Sequence, residues 1–126
     1  MNINPVVWFE IYVQDIARAT KFYESVLDTK LDKLGDPTDS NVQMMAFPMG
    51  MDHPGAAGTL VQMDGFTSGG SGTLVYFGCD DCAVEAARVA SSGGHVEREK
   101  TSLGEYGFIA LAADTEGNMF GLHSTK

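Results

Sequence analysis

The first half of the chain opens with an alternating stretch that is followed by a helical one. Residues 6–13, VVWFEIYV, alternate between two faces, which predicts a strand with one wholly apolar face. The other face carries Trp8, Glu10 and Tyr12. Over residues 16–27 apolar residues recur at helical spacing, and Asp15 stands where an N-cap residue is preferred. Three further strands are predicted at residues 30–34, 42–47 and 59–63.

The second half repeats this succession after a glycine- and serine-rich linker at residues 64–72. Residues 73–78 predict a strand, and residues 82–92 predict a helix that the Asp80-Asp81 pair begins. Three more strands are predicted at residues 95–100, 108–113 and 119–123. The pattern therefore predicts an α+β fold of two βαβββ modules in tandem, at residues 6–63 and 73–125, within a single domain of residues 1–126.

The last two strands form a predicted hairpin around the polar turn DTEGN at residues 114–118. Side chains of the returning strand alternate between two faces. Phe120 and Leu122 share one face, which we assign to the core. Met119, Gly121 and His123 share the other, which we assign to a lining that is apolar but not filled.

Composition narrows the range of partners. A chain of 126 residues with 44% hydrophobic and 20% charged residues suits one globular domain. Its formal net charge of −9 argues against nucleic acid and anionic membranes as partners, since both select basic surfaces. No basic leader and no membrane-spanning apolar stretch is visible, and only two cysteines are present. We therefore expect a cytoplasmic protein without a disulfide framework.

Those two cysteines, Cys79 and Cys82, have the CxxC spacing of redox and zinc motifs. Asp80 and Asp81 lie between them, and neighbouring carboxylates disfavour the thiolate that a reactive dithiol needs. Cys82 also falls in the first turn of a predicted helix. We therefore interpret the pair as structural.

Nearly the whole chain resembles the vicinal oxygen chelate superfamily, which includes glyoxalase I, bleomycin-resistance proteins and extradiol dioxygenases. The resemblance rests on FEIYVQDIARATKFYESVL, LVYFGCDDCAVEAARVASSGGHV and EYGFIALAADTEGNMFGLHS. It implies two curled sheets around a cleft that binds a small molecule, and a homodimer. The chain is most similar to the glyoxalase-related members whose reactions are mostly unassigned.

The resemblance also locates the positions at which metal-using members carry histidine or glutamate ligands. In this chain they correspond to Trp8, to Thr59 or Val61, to Leu74 and to Gly121. None of these is a usual side-chain ligand for a divalent metal. We therefore predict no bound metal and no cofactor.

Two functions stay open at this point. In the first, the protein is a metal-independent enzyme in which Glu10 accepts a proton and His123 or a tyrosine donates a hydrogen bond. In the second, it binds and sequesters a small molecule without chemistry, as the bleomycin-resistance branch does. In both, the predicted lining of the cleft consists of Trp8, Tyr12, Leu74, Tyr76, Tyr106, Met119 and Gly121. A third, weaker interpretation is an interaction domain of a larger assembly.

Overall fold

A computed structural model describes residues 3–35, 41–70 and 72–126. In chain order its elements are β1 (Val6–Tyr12), α1 (Ile16–Leu27), β2 (Asp32–Leu34), β3 (Gln43–Ala46), β4 (Ala57–Gln62), β5 (Thr73–Gly78), α2 (Cys82–Val89), β6 (His95–Ser102), β7 (Phe108–Ala113) and β8 (Met119–Ser124). Short 3₁₀ turns follow α2 at Ala90–Ser92 and precede β7 at Gly104–Tyr106. The predicted α+β class and the repeated strand–helix–three-strand order are confirmed. Ser71, in the predicted linker, lies outside the described residues.

The chain divides into two compact units. The first unit comprises Trp8–Thr73, and the second comprises Met1–Val7 together with Leu74–Lys126. The amino-terminal segment joins the second unit through its backbone, because the Gly78 amide donates to the Pro5 carbonyl at 3.0 Å. The module boundaries drawn at residues 6–63 and 73–125 stay a prediction.

In the first unit the strand order is β2-β3-β4-β1, with β1 parallel to β4 and the other neighbours antiparallel. One face of this sheet packs on α1, where Leu60 is fully buried in a cluster against which Ile16 and Tyr23 pack. Side chains alternate along each strand, so the opposite face carries a second set of residues. We call this opposite side the far face, and define it by Trp8, Glu10, Tyr12, Ala46, Thr59 and Val61.

In the second unit the order is β5-β8-β7-β6, with β5 parallel to β8. The face toward α2 is the core of the unit, where Cys82 and Ala110 are fully buried and pack with Ala86 and Leu122. Phe120 packs against this cluster, which confirms its predicted place beside Leu122. The Ser124 hydroxyl accepts a hydrogen bond from the Cys82 amide at 3.0 Å and ties β8 to the start of the helix.

Both helices begin where the sequence predicts. The Asp15 carboxylate accepts from the Arg18 amide at 3.0 Å, and Asp81 accepts from the Ala83 amide at 3.0 Å. Such side chains satisfy amides that the first helical turn leaves without a partner. The second helix is shorter than predicted, since it tightens to 3₁₀ after Val89. Among the described residues, no helix has the length and apolar character needed to cross a bilayer.

Strand β4 begins two residues earlier than predicted. Gly58 lies within the strand, and a Cβ there would sit 2.4 Å from the backbone oxygen of Phe9. The position thus requires glycine because β1 approaches closely, not because the chain turns. Gly58, which the sequence pattern leaves outside the strand, is therefore a packing residue of the sheet.

Candidate functional site

Glu10 lies at the centre of the far face, in the middle of β1. The Trp8 indole Nε1 donates to its Oε2 at 3.3 Å, and the Tyr12 hydroxyl donates to its Oε1 at 2.6 Å. Both donors come from the same strand, two residues before and two after, so strand alternation alone brings them to the carboxylate. Each oxygen of the carboxylate is thereby held in a fixed direction on a part-buried surface.

Tyr12 is itself held by the glycine-rich segment. Its ring stacks on Phe66 with 4.9 Å between the ring centroids, and its amide donates to the Gly72 carbonyl at 2.6 Å. Tyr12 is buried, whereas Phe66 is partly exposed. Phe66 is not among the predicted site residues. The available signal was a single aromatic residue in an otherwise small and polar run.

Thr59 is the register partner of Glu10 on the neighbouring strand β4. Register partners project to the same face, so Thr59 lies beside Glu10 on the far face. Thr59 is fully buried, and its hydroxyl has no hydrogen-bond partner within the described residues. On its other side it pairs with Ala46 of β3, which has no side-chain polar group.

His123 belongs to the second unit and Glu10 to the first. The His123 Nε2 lies 2.7 Å from the Tyr106 carbonyl oxygen. A carbonyl only accepts, so Nε2 carries the hydrogen and donates it to the backbone. This contact fixes the imidazole against the 3₁₀ turn at Gly104–Tyr106, which the sequence did not predict.

Two predicted lining residues of the second unit lie at its surface. Tyr106 is 42% exposed and Met119 is 43% exposed. Tyr106 contacts His123 through its backbone carbonyl, not through its ring. Leu74 and Tyr76, in contrast, are buried residues of β5.

Tyr76 covers the position at which the sequence predicts open space. Gly121 is its register partner on β8, and a Cβ at Gly121 would lie 2.2 Å from Cδ2 of the Tyr76 ring. The absent side chain therefore accommodates an aromatic ring of the same chain. A ligating side chain at this position would collide with Tyr76.

The residues at the four family positions do not fit a divalent metal. An indole N–H and an aliphatic side chain offer no donor lone pair, and the position of Gly121 is covered by Tyr76. Only the Thr59 hydroxyl is a possible ligand. Within residues 3–35, 41–70 and 72–126, no three histidine, cysteine, aspartate or glutamate side chains are grouped as a metal site would require.

The two cysteines have the character of structural residues. Burial, followed by the nearby Glu85 carboxylate, raises the pKa of the Cys79 thiol to about 11. The carboxylate responsible is Glu85 on α2, and not Asp80 or Asp81, to which the sequence pattern points. Cys82 is fully buried in the core of the second unit.

The chain matches a protein family in sequence and a number of solved structures in fold. Residues 3–122 match the family model of the Glyoxalase/Bleomycin resistance protein/Dioxygenase superfamily. No protein of curated function matches the chain.

Solved structures of low sequence identity share the fold. A hypothetical protein from Bacillus halodurans C-125 is 16% identical, with a TM-score of 0.71 over 96% of this chain and 94% of that chain. Methylmalonyl-CoA epimerase from Mycobacterium tuberculosis is 15% identical, with a TM-score of 0.67 over 97% and 88%. The Streptomyces coelicolor methylmalonyl-CoA epimerase in complex with 2-nitronate-propionyl-CoA is 17% identical, with a TM-score of 0.63 over 98% and 99%.

Proposed function

Because the chain belongs to the Glyoxalase/Bleomycin resistance protein/Dioxygenase superfamily, we propose that it is a small-molecule enzyme that works without a divalent metal. Glu10 accepts a proton from the substrate in this proposal. The observation that carries it is the pair of hydrogen bonds from Trp8 and Tyr12, which aim one carboxylate on the far face. A base fixed in direction meets the geometric requirement for general-base catalysis.

The four family positions support the metal-independent part of the proposal. A metal-using relative needs ligands where this chain has Trp8, Thr59 or Val61, Leu74 and Gly121. The collision between any side chain at Gly121 and the Tyr76 ring argues further against a ligand there. Without a metal, side chains of the protein carry out the proton transfer.

His123 has a smaller part in this proposal than the catalytic role that the sequence predicts for it. Its Nε2 hydrogen is directed at the Tyr106 carbonyl, so a substrate would compete with the backbone for that donor. We therefore assign Glu10 as the principal acid–base residue and His123 as a positioning residue for the turn at Gly104–Tyr106. Tyr12 is the tyrosine whose hydroxyl is already in contact with Glu10.

The experiment compares turnover by wild type and Glu10→Gln on a panel of small carbonyl compounds and acyl-CoA thioesters. The thioesters are included because similar structures are named as epimerases of methylmalonyl-CoA. We expect turnover to fall by about 10²–10⁴-fold in Glu10→Gln, the usual contribution of a general base. Glu99→Gln, at an exposed position of strand β6, is the matched control and keeps full turnover.

Removal of metal tests the other half of the proposal. Dialysis against a chelator is expected to leave turnover unchanged. A loss that Zn²⁺, Ni²⁺, Co²⁺ or Fe²⁺ restores contradicts the metal-independent assignment. Full turnover in Glu10→Gln contradicts the role of Glu10.

The second candidate is a binding protein that sequesters its ligand without reaction. The same contacts favour it, since a carboxylate held by two donors is well suited to accept a hydrogen bond from a ligand that it does not deprotonate. Saturable quenching of the fluorescence of Trp8, the single tryptophan, without product formation supports this candidate over the first. The homodimer and the cytoplasmic location stay predictions that the solution mass and cell fractionation test.

A further inference from the structure

Thr59 presents a buried hydroxyl for which residues 3–35, 41–70 and 72–126 supply no hydrogen-bond partner. The residue is 0% exposed, and no acceptor or donor within the described residues contacts its hydroxyl oxygen. A buried hydroxyl without a hydrogen bond is unfavourable in a folded protein. Such a group is a candidate for a contact that forms only with a ligand.

The neighbours of Thr59 restrict what that ligand contact is. Across the sheet the residue lies between Ala46, which cannot form a side-chain hydrogen bond, and Glu10. The Glu10 carboxylate accepts hydrogen bonds along its own strand, from Trp8 and Tyr12. The donor and the acceptor thus belong to register partners on adjacent strands, whose backbones lie about 4.8 Å apart in a sheet.

We infer that Thr59 is a ligand-binding residue. Its hydroxyl donates a hydrogen bond to an acceptor oxygen of the ligand, and a neighbouring N–H or O–H of the same ligand donates to Glu10. This inference rests on the proposed function and names the substrate class. A neutral amide or lactam edge carries a carbonyl oxygen and an N–H next to each other, which matches the pair. Anionic carboxylates are disfavoured because Glu10 would repel them.

Burial sets the conditions of this contact. Because Thr59 is fully buried, a ligand that contacts its hydroxyl must displace the atoms that cover it. Once there, it shares a site from which bulk water is excluded, and hydrogen bonds are stronger in such surroundings than in water.

Thr59→Val tests the inference first through stability. Valine has nearly the same shape, is favoured in strands and removes only the hydroxyl. With no partner to lose, the variant is expected to melt at the temperature of wild type or above it. A melting temperature clearly below that of wild type shows that the hydroxyl has a structural partner and overturns the inference.

Ligand binding provides the second test, followed by Trp8 fluorescence. The probes are 2-pyrrolidone, which has adjacent C=O and N–H groups, and N-methyl-2-pyrrolidone, which lacks the N–H. We expect 2-pyrrolidone to bind wild type at least fivefold more tightly than its N-methyl derivative. We also expect Thr59→Val to weaken 2-pyrrolidone binding by about fivefold, the factor for one ordinary hydrogen bond.

Two further variants complete the test. Thr59→Ser keeps the hydroxyl and is expected to retain most of the affinity. Thr101→Val removes a hydroxyl that donates to the Glu99 carbonyl on β6 and is expected to leave affinity unchanged.

The outcomes separate this inference from the proposed function. Unchanged 2-pyrrolidone affinity in Thr59→Val, together with lost turnover in Glu10→Gln, overturns the role of Thr59 and leaves the proposed function intact. Wild type that binds neither probe saturably, or both equally, overturns the ligand class. Weakened binding in Thr59→Val with full turnover in Glu10→Gln supports Thr59 as a binding residue and contradicts the enzyme.

Discussion

Addition of one methyl group at Gly121 gives a direct test of how β5 and β8 pack. The new Cβ would lie 2.2 Å from Cδ2 and 2.4 Å from Cε2 of the Tyr76 ring. Tyr76 is only 6% exposed and Gly121 is buried, so the ring has little space into which it can turn. Gly121→Ala therefore forces an overpacked arrangement between two paired strands.

The expected cost follows from that overlap. Extra carbon atoms in a well-packed interior destabilise by about 1–3 kcal/mol. For a chain of 126 residues, each kcal/mol lowers the melting temperature by about 4 °C. We therefore expect Gly121→Ala to melt about 4–12 °C below wild type.

The assay is thermal unfolding followed by circular dichroism, with urea unfolding as a second measure. Gly35→Ala is the matched control, because no described residue beyond its chain neighbours lies within 4 Å of a Cβ there and its backbone is not left-handed. Its free energy of unfolding is expected to stay within about 0.5 kcal/mol of wild type.

A double-mutant cycle identifies the ring as the cause. In a Tyr76→Leu background the smaller side chain leaves room, so the penalty of Gly121→Ala is expected to fall by at least half. A Gly121→Ala protein as stable as wild type refutes the packing described here. An equal penalty with and without the Tyr76 ring refutes the assigned contact.

Two further predictions concern titrating groups of the second unit. Burial and Glu85 raise the pKa of Cys79 to about 11, so alkylation of Cys79 by iodoacetamide at pH 8 should be slow. The reaction should be faster in Glu85→Gln but not in the control Glu105→Gln. Rapid labelling of Cys79 in wild type, located by mass spectrometry, contradicts this prediction. The pKa values of Asp114 and Asp81 lie below 3.8, since Asp114 accepts from the Asn118 and Glu116 amides and Asp81 from Lys100 and the Ala83 amide. These carboxylates bind protons less readily when folded, so their stabilisation is complete above pH 3.8 and is lost as pH falls through the lower folded values. Asp81→Asn/Asp114→Asn should accordingly lose less stability than wild type between pH 4 and pH 2, and equal losses would contradict the assignment.

Local signals in the sequence were sufficient for the main elements of the fold. The apolar stripe and Asp15 predict α1 with the bounds that it has, and the β7–β8 hairpin follows from its polar turn. These features depend on residues close to one another in the chain. The 3₁₀ turn at Gly104–Tyr106 has no comparable signal, since three residues are too few to show a period.

Only the part of the candidate site that lies on the single strand β1 was predictable from the sequence. Strand alternation places Trp8, Glu10 and Tyr12 together, and the hydrogen bonds between them agree with that placement. The partner of Gly121 depends on pairing with a strand about 45 residues earlier, and no local pattern reveals that register. The backbone contact of His123 likewise depends on a turn that the sequence did not show.

The division of the chain into units has a consequence for biosynthesis. Residues 3–7 leave the ribosome long before residues 74–126, yet their backbone and side chains meet Gly78 of the later segment. The first unit, in contrast, has all its strands available once residue 73 has been translated. A protease cut in the glycine-rich linker would consequently leave residues 3–7 attached to the earlier fragment, and the two fragments should regain the native spectrum only when they are mixed.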